Sequence, residues 1–205
     1  MFVMPTSETE RLIQFDTGTL YEAAGEGAFA PGLRALSGDG RVAGPALTVA
    51  CPPGDNLAVH VAVAQAREGE VLVVQTHDWA YGVWGEVLTV AAMARGIRAL
   101  VMDGSVRDLD AIRELGFAVF ARGTALAGTR KRETGAVRGP VSCAGRLVEP
   151  GEMIVADLSG LVAIRPERVQ EVLAAAAARR DKELETIRQL RQGRTTVELM
   201  GLEPA

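Results

Sequence analysis

Between Trp84 and Asp108 the pattern of apolar and polar positions changes period. Val87, Val90, Ala91 and Ala94 recur at helical spacing behind Gly85 and Glu86, and Gly96 stands where a left-handed residue closes a helix. Ile97 to Met102 then runs mostly apolar up to Asp103-Gly104, which predicts a buried strand ending in a turn. That turn delivers Arg107 and Asp108. Open α/β sheets hold their ligands just beyond strand ends, so the unit directs a helix N-terminus and an Arg-Asp pair toward one pocket.

The remaining pattern alternates short helices with strands. Ser7 and Glu10 fit a capping box for a helix through Phe15, and Asp16 to Ala24 carries a second helical pattern closed by Gly25. Gly25 to Gly40 reads as loop, leading into a strand from Arg41 to Cys51 that Pro52-Pro53-Gly54 ends. Asp55 and Asn56 are natural N-caps for a helix from Leu57 to Ala66. His60 falls inside that helix, where a lone imidazole is more often packed or solvated, and it is left outside the candidate site. Val71 to Gln75 predicts a buried strand, Leu109 to Leu115 a helix closed by Gly116, and Phe117 to Ala121 another strand. Arg122 to Gly139 forms a polar loop over the site. Val141 to Ile164 holds at least two strands, with Asp157 to Gly160 as the turn between the last pair.

Pro166 suits a first helical position, and Val169, Val172, Leu173 and Ala176 make an apolar stripe behind it. The helix can continue through Leu184, Ile187 and Leu190 to Gly193. At about 1.5 Å per residue it outgrows so small a body, so its far half is expected to touch a neighbour. The chain therefore divides into an α/β body, residues 1–165, and a helical arm, residues 166–205, that docks in an oligomer.

Composition narrows the classes. With 205 residues, 48% of them hydrophobic, the chain can bury one sizeable core. A net charge of −4 gives no electrostatic reason to expect nucleic acid, and Arg130-Lys131-Arg132 is too short a basic run to change that. Cys51 and Cys143 lack metal-ligand spacing and read as reduced core residues. No leader pattern or membrane-length apolar run is present, so the expected setting is cytoplasmic, without membrane partners.

Glu86, twenty intervening residues and then Arg107-Asp108, with Gly85 before the acid and Asp103-Gly104 before the pair, resemble the motif of the class II pyruvate aldolases that cleave 4-hydroxy-4-methyl-2-oxoglutarate and 4-carboxy-4-hydroxy-2-oxoadipate. The regulator of ribonuclease activity A family shares it. Five further segments look like family segments in family order: Gly40 to Val49, Gly54 to His60, Glu68 to Val74, Glu114 to Gly123 and Val148 to Ile164. The resemblance implies a layered β/β/α domain of the swivelling type with a protruding C-terminal helix, assembled as a trimer or hexamer with sites between subunits. Glu22, His77, Ala118 and Ser159 depart from the usual family pattern, and His77-Asp78-Trp79 is placed to shape substrate choice.

The implied chemistry suits these residues. A 2-oxo acid chelates a divalent cation, Mg2+ or Mn2+, and such cations accept one or two protein carboxylates. Asp108 is the expected metal ligand; Glu86 would orient a water on the cation or accept a hydrogen bond nearby. Amides from Gly85, Glu86, Val87 and Leu88 can hold the substrate carboxylate. Arg107 would bind the substrate and stabilise pyruvate enolate during retro-aldol cleavage, and oxaloacetate decarboxylation passes through the same enolate. Family precedent puts a proton-donating acid on the C-terminal helix of an adjacent subunit, and Glu183 is the nearest match here, ahead of Glu185. Plainer roles stay open: Asp108 as an N-cap, Arg107 paired with Asp103 or Glu86, Glu86 as a complement to its helix dipole. Asp103 would position Arg107 or line the site. A non-catalytic, protein-binding regulator is the alternative function. Methyl transfer is discounted, because no glycine-rich nucleotide fingerprint follows a first strand.

Overall fold

The computed structural model describes residues 7–38 and 40–203. The first six residues, on which the reading of a leaderless N-terminus partly rests, lie outside that range. The elements in chain order are α1 (Glu8–Leu12), α2 (Thr17–Ala24), β1 (Arg34–Ser37), β2 (Val42–Ala50), α3 (Leu57–Ala64), β3 (Val71–Gln75), β4 (Gly82–Trp84), α4 (Glu86–Ala94), β5 (Ala99–Val106) and α5 (Leu109–Glu114). There follow β6 (Ala118–Thr124), β7 (Ala136–Val137), β8 (Val141–Cys143), β9 (Arg146–Val148), β10 (Met153–Ala156), β11 (Leu161–Ile164), α6 (Val169–Arg191) and α7 (Thr196–Met200).

Strands β2, β3, β5 and β6 run parallel at the centre of the main sheet, whose order is β1-β6-β5-β3-β2-β10-β11. Period-two alternation sorts their side chains into two cores. Leu72, Val74, Leu100, Met102 and Val119 face the helices α3, α4 and α5, together with Val59, Leu88 and Ile112. Val71, Val73, Ala99, Val101 and Phe120 face the opposite way, onto Val141, Cys143 and Val148 of the β8–β9 hairpin. The result is a three-layer β/β/α body. Strand β2 changes partner along its length: Val42 to Pro45 pair with β10, and Ala46 to Ala50 with β3. This carries β10 and β11 over to a third core with α1, α2 and the first turns of α6.

Several predicted boundaries differ. Strand β6 runs on to Thr124, and the expected loop from Arg122 to Gly139 holds β7, which pairs with β2. The span from Gly25 to Gly40 holds a strand, β1, which pairs antiparallel with β6; its mixed residues give no clear alternation. Asp103-Gly104 does not end β5 in a turn. The strand runs on to Val106 through a register shift against β6, and exchanges its neighbour β3 for β4. Gly104 fits there because a Cβ would meet the Thr76 side chain, and that hydroxyl donates to the Asp103 carbonyl at 2.6 Å.

Helix α6 has 23 residues, about 35 Å of length. Its buried side chains stop at Ala176, while Leu184 and Ile187 further along are exposed. No described helix is long and apolar enough to cross a membrane.

Candidate active site

The site begins where β5 ends. Asp108 directly precedes α5 in a left-handed conformation, φ 54° and ψ 37°, which aspartate tolerates better than most residues. Its side chain makes no capping bond to its own helix. Instead Oδ2 accepts from the Glu86 amide at 3.3 Å and lies 3.6 Å from Arg107 Nε. The capping role open to Asp108 in the sequence is therefore not the one it adopts.

The head of α4 is built to receive that carboxylate. Trp84 stacks on Phe117, with centroids 6.1 Å apart, and its indole N–H donates to the Thr89 hydroxyl at 2.7 Å. Thr89 donates in turn to the Gly85 carbonyl, while the Arg107 amide bonds the Trp84 carbonyl at 2.8 Å. Gly85 matters for space rather than for backbone angle: a Cβ there would meet Asp108 Oδ2 and crowd Arg107, so both side chains would have to shift. The first-turn amides of Val87 and Leu88 have no intrahelical acceptor, and both residues border the cavity beside Arg107 and Asp108.

That cavity, about 220 Å³, has a second wall. Asn56, just before α3, and His60 on it supply part of it, and Gly128, Thr129 and Lys131 supply the rest from the loop after β6. Asp55 fastens loop to helix: Oδ1 accepts from the Leu57 amide at 2.9 Å, and Oδ2 from the Arg132 and Glu133 amides at 2.8 and 3.3 Å. Burial pushes the Asp55 carboxyl up, but these three amides outweigh it and hold the pKa below the ordinary value. Asn56 does not cap its helix; its Nδ2 donates to the Val83 carbonyl at 2.9 Å. His60, left aside on sequence grounds, belongs to this wall. The available signal was the four-residue spacing that puts Asn56 and His60 on one helix face.

The expected residues do not all converge. Gly85, Val87, Leu88, Arg107 and Asp108 meet at the cavity. Glu86 joins through its backbone, its side chain being exposed. Glu183 lies on α6, paired with Arg179 at 3.1 Å, in a separate groove beside α7. Asp103 neither pairs with Arg107 nor borders the cavity: it binds Arg122 at 2.7 Å and accepts from the Ala144 amide at 2.7 Å. Its place in mid-strand, facing the β8–β9 hairpin, sends it elsewhere.

The donor set decides which cation these residues suit. Among the described residues no three His, Cys, Asp or Glu side chains gather as a metal cage, so a fully protein-ligated zinc site does not fit. Asp108 is half-exposed and its Oδ1 takes no hydrogen bond, which fits a magnesium-type ion held by one carboxylate and mostly water.

Comparison with known proteins agrees with this architecture. The family described as RraA-like, Aldolase/RraA, matches residues 17–163, and the chain belongs to it. A relative from Halalkalibacterium halodurans, named "Putative 4-hydroxy-4-methyl-2-oxoglutarate aldolase", is 36% identical over 145 residues, 70% of this chain and 69% of that one. A solved structure of an uncharacterized protein from Pseudomonas syringae pv. tomato matches with TM-score 0.84 and 29% identity, covering 95% of this chain and 92% of that one. A Streptomyces coelicolor protein, described as an unusual member of the RNase ES inhibitor RraA protein family, matches with TM-score 0.80 and 27% identity over 91% of this chain and 98% of that one.

Proposed function

We propose that the protein is a divalent-metal-dependent aldolase that splits a 4-hydroxy-2-oxo acid into pyruvate and a second carbonyl compound, and decarboxylates oxaloacetate through the same enolate. The observation that carries this reading is the Asp108 carboxylate, turned away from its own helix and set against Gly85 beside Arg107. A residue serving only as a cap would point the other way.

Asp108 would hold the cation, which supplies Lewis-acid polarisation of the keto oxygen when bound. The rest of the work falls to the chain. First-turn amides of α4 bind the substrate carboxylate, since free N–H groups and the helix dipole favour an anion there. As the 4-hydroxyl loses its proton, the C3–C4 bond breaks and its electrons move into C2–C3, leaving negative charge on the keto oxygen. The Arg107 guanidinium faces that charge; losing one such preorganised donor costs about 3 kcal/mol in the barrier. Glu86, its side chain exposed at the head of α4, is assigned to orienting water. Protonation at C3 is assigned to Glu183 of an adjacent subunit, in a trimer or hexamer. The exposed Leu184 and Ile187 beside it support burial of this part of α6 in an assembly.

The test is pyruvate release from 4-hydroxy-4-methyl-2-oxoglutarate, 4-carboxy-4-hydroxy-2-oxoadipate and oxaloacetate, with Mg2+ or Mn2+ and again with chelator. Turnover that chelator abolishes and added metal restores is expected. A folded oligomer that binds metal but turns over none of the three substrates would overturn the assignment and favour the protein-binding regulator.

A further inference from the structure

Two buried side-chain atoms, Asn56 Oδ1 and His60 Nε2, have no hydrogen-bond partner, and both residues border the same cavity as Arg107. The residues are one helical turn apart at the head of α3, the His60 amide lying 3.3 Å from the Asn56 carbonyl oxygen. The Asn56 amide can be oriented unambiguously. Its Nδ2 donates to the Val83 carbonyl, which can only accept, so Oδ1 is the atom left free. A buried acceptor without a donor is unfavourable, and a ligand that brings a hydroxyl relieves it. Burial, then the charge of Lys131, lowers the His60 pKa, so the imidazole is neutral near pH 7 and keeps a lone pair. The charged groups around the same cavity are Arg107, Asp108 and Lys131, with Asp55 at the adjoining junction of loop and helix.

On the basis of the proposed aldol cleavage, we infer that Asn56 and His60 form the subsite for the substrate 4-hydroxyl, with His60 as the base that takes its proton. In the bound substrate the hydroxyl hydrogen is shared between Asn56 Oδ1 and the imidazole nitrogen, and the imidazole takes it as C3–C4 breaks. O4–C4 becomes a carbonyl, the bonding pair passes into C2–C3, and the keto oxygen gains the charge that Arg107 balances. The imidazolium then releases its proton to water while C3 gains one, so no proton is consumed overall.

Oxaloacetate provides the discriminating control, because its decarboxylation reaches the same enolate with no hydroxyl to deprotonate. In His60→Gln, kcat for cleavage of 4-hydroxy-4-methyl-2-oxoglutarate is expected to fall at least about a hundredfold, and decarboxylation by less than tenfold. The acidic limb of the cleavage pH profile should vanish with it. His60→Ala, checked for folding by circular dichroism, should regain part of its cleavage activity when imidazole is added. An equal fall in both reactions, or cleavage within threefold of wild type, would overturn the role of His60. A wild-type protein inactive on both substrates would instead overturn the aldolase reading itself, and this assignment with it.

Discussion

Two Arg-Asp pairs, one joining β5 to β6 and one just beyond the end of β5, have opposite uses. Asp103 and Arg122 meet at 2.7 Å with both side chains only 18% exposed. The guanidinium also lies over Trp79 and donates to the Pro31 carbonyl, and the carboxylate takes the Ala144 amide. Both carboxylate oxygens of Asp103 are engaged, and the pair clamps the β8–β9 hairpin and the Pro31 loop to the sheet. Arg107 and Asp108, at the end of the same strand, sit 3.6 Å apart and are nearly half-exposed. Such a pair contributes little to stability and leaves donors and acceptors free for a ligand. A carboxylate with both oxygens bonded is structural; one with an oxygen left open, held in place by packing, is available for chemistry.

The largest effect expected is on turnover in Arg107→Ala and Asp108→Ala. Each should lose about a thousandfold in kcat/KM, while urea unfolding shifts by less than about 1 kcal/mol. A loss of stability as large as the loss of activity would make this pair another clamp. Gly85→Ala tests how finely the open pair is positioned. The added methyl displaces Asp108 Oδ2, and a drop of about tenfold to a hundredfold in turnover is expected with near-normal unfolding. Asp103→Ala should behave in the reverse sense, losing about 2 kcal/mol because Arg122 and the Ala144 amide are left unpaired. Activity per folded molecule should hold, and a selective fall in kcat would return Asp103 to the site.

The smallest effect is on acid stability. The folded-state pKa of His60 lies below the ordinary 6.5, so below that pH the unfolded chain binds more protons than the folded one. Stability therefore declines as the pH falls from 6.5 toward the lowered value. The slope is shallow, because the ring is only partly buried, and His60→Gln should remove it. Asp55 acts in a lower window. Its contribution is present above its ordinary 3.8 and is lost as pH falls through its depressed value, releasing the loop that carries Lys131.

Local pattern made much of this molecule legible. The apolar spacing from Val87 to Ala94 with Gly96 behind it, the run Val71 to Gln75 and the capping box at Ser7 all became the predicted elements, because periodicity and caps act within a few residues. The motif around Glu86, Arg107 and Asp108 was legible through its likeness to a family, which also implied the layered fold. Long-range pairing was not. Asp103-Gly104 reads locally as a turn, yet β3 pairs with Asp103 and β4 and β6 pair with Ser105 and Val106 beyond it, which keeps the segment in an extended strand. His60 reads locally as one position in a helix, and only the loop tethered by Asp55, some seventy residues further on, turns that position into a cavity wall.

Local pattern set most of the helices and the central strands, though not β1, β4 or β7, and it set which Arg-Asp pair stands at a strand end behind a helix N-terminus. Tertiary structure alone decided that Asp108 turns onto Gly85 instead of capping α5, that Asp103 is consumed by Arg122, and that Asn56 and His60 face the same space as Arg107. The physical reason is range. Backbone preference and side-chain periodicity are settled over one or two turns of chain, whereas the partner of a charge or a buried polar atom depends on groups brought together from distant segments.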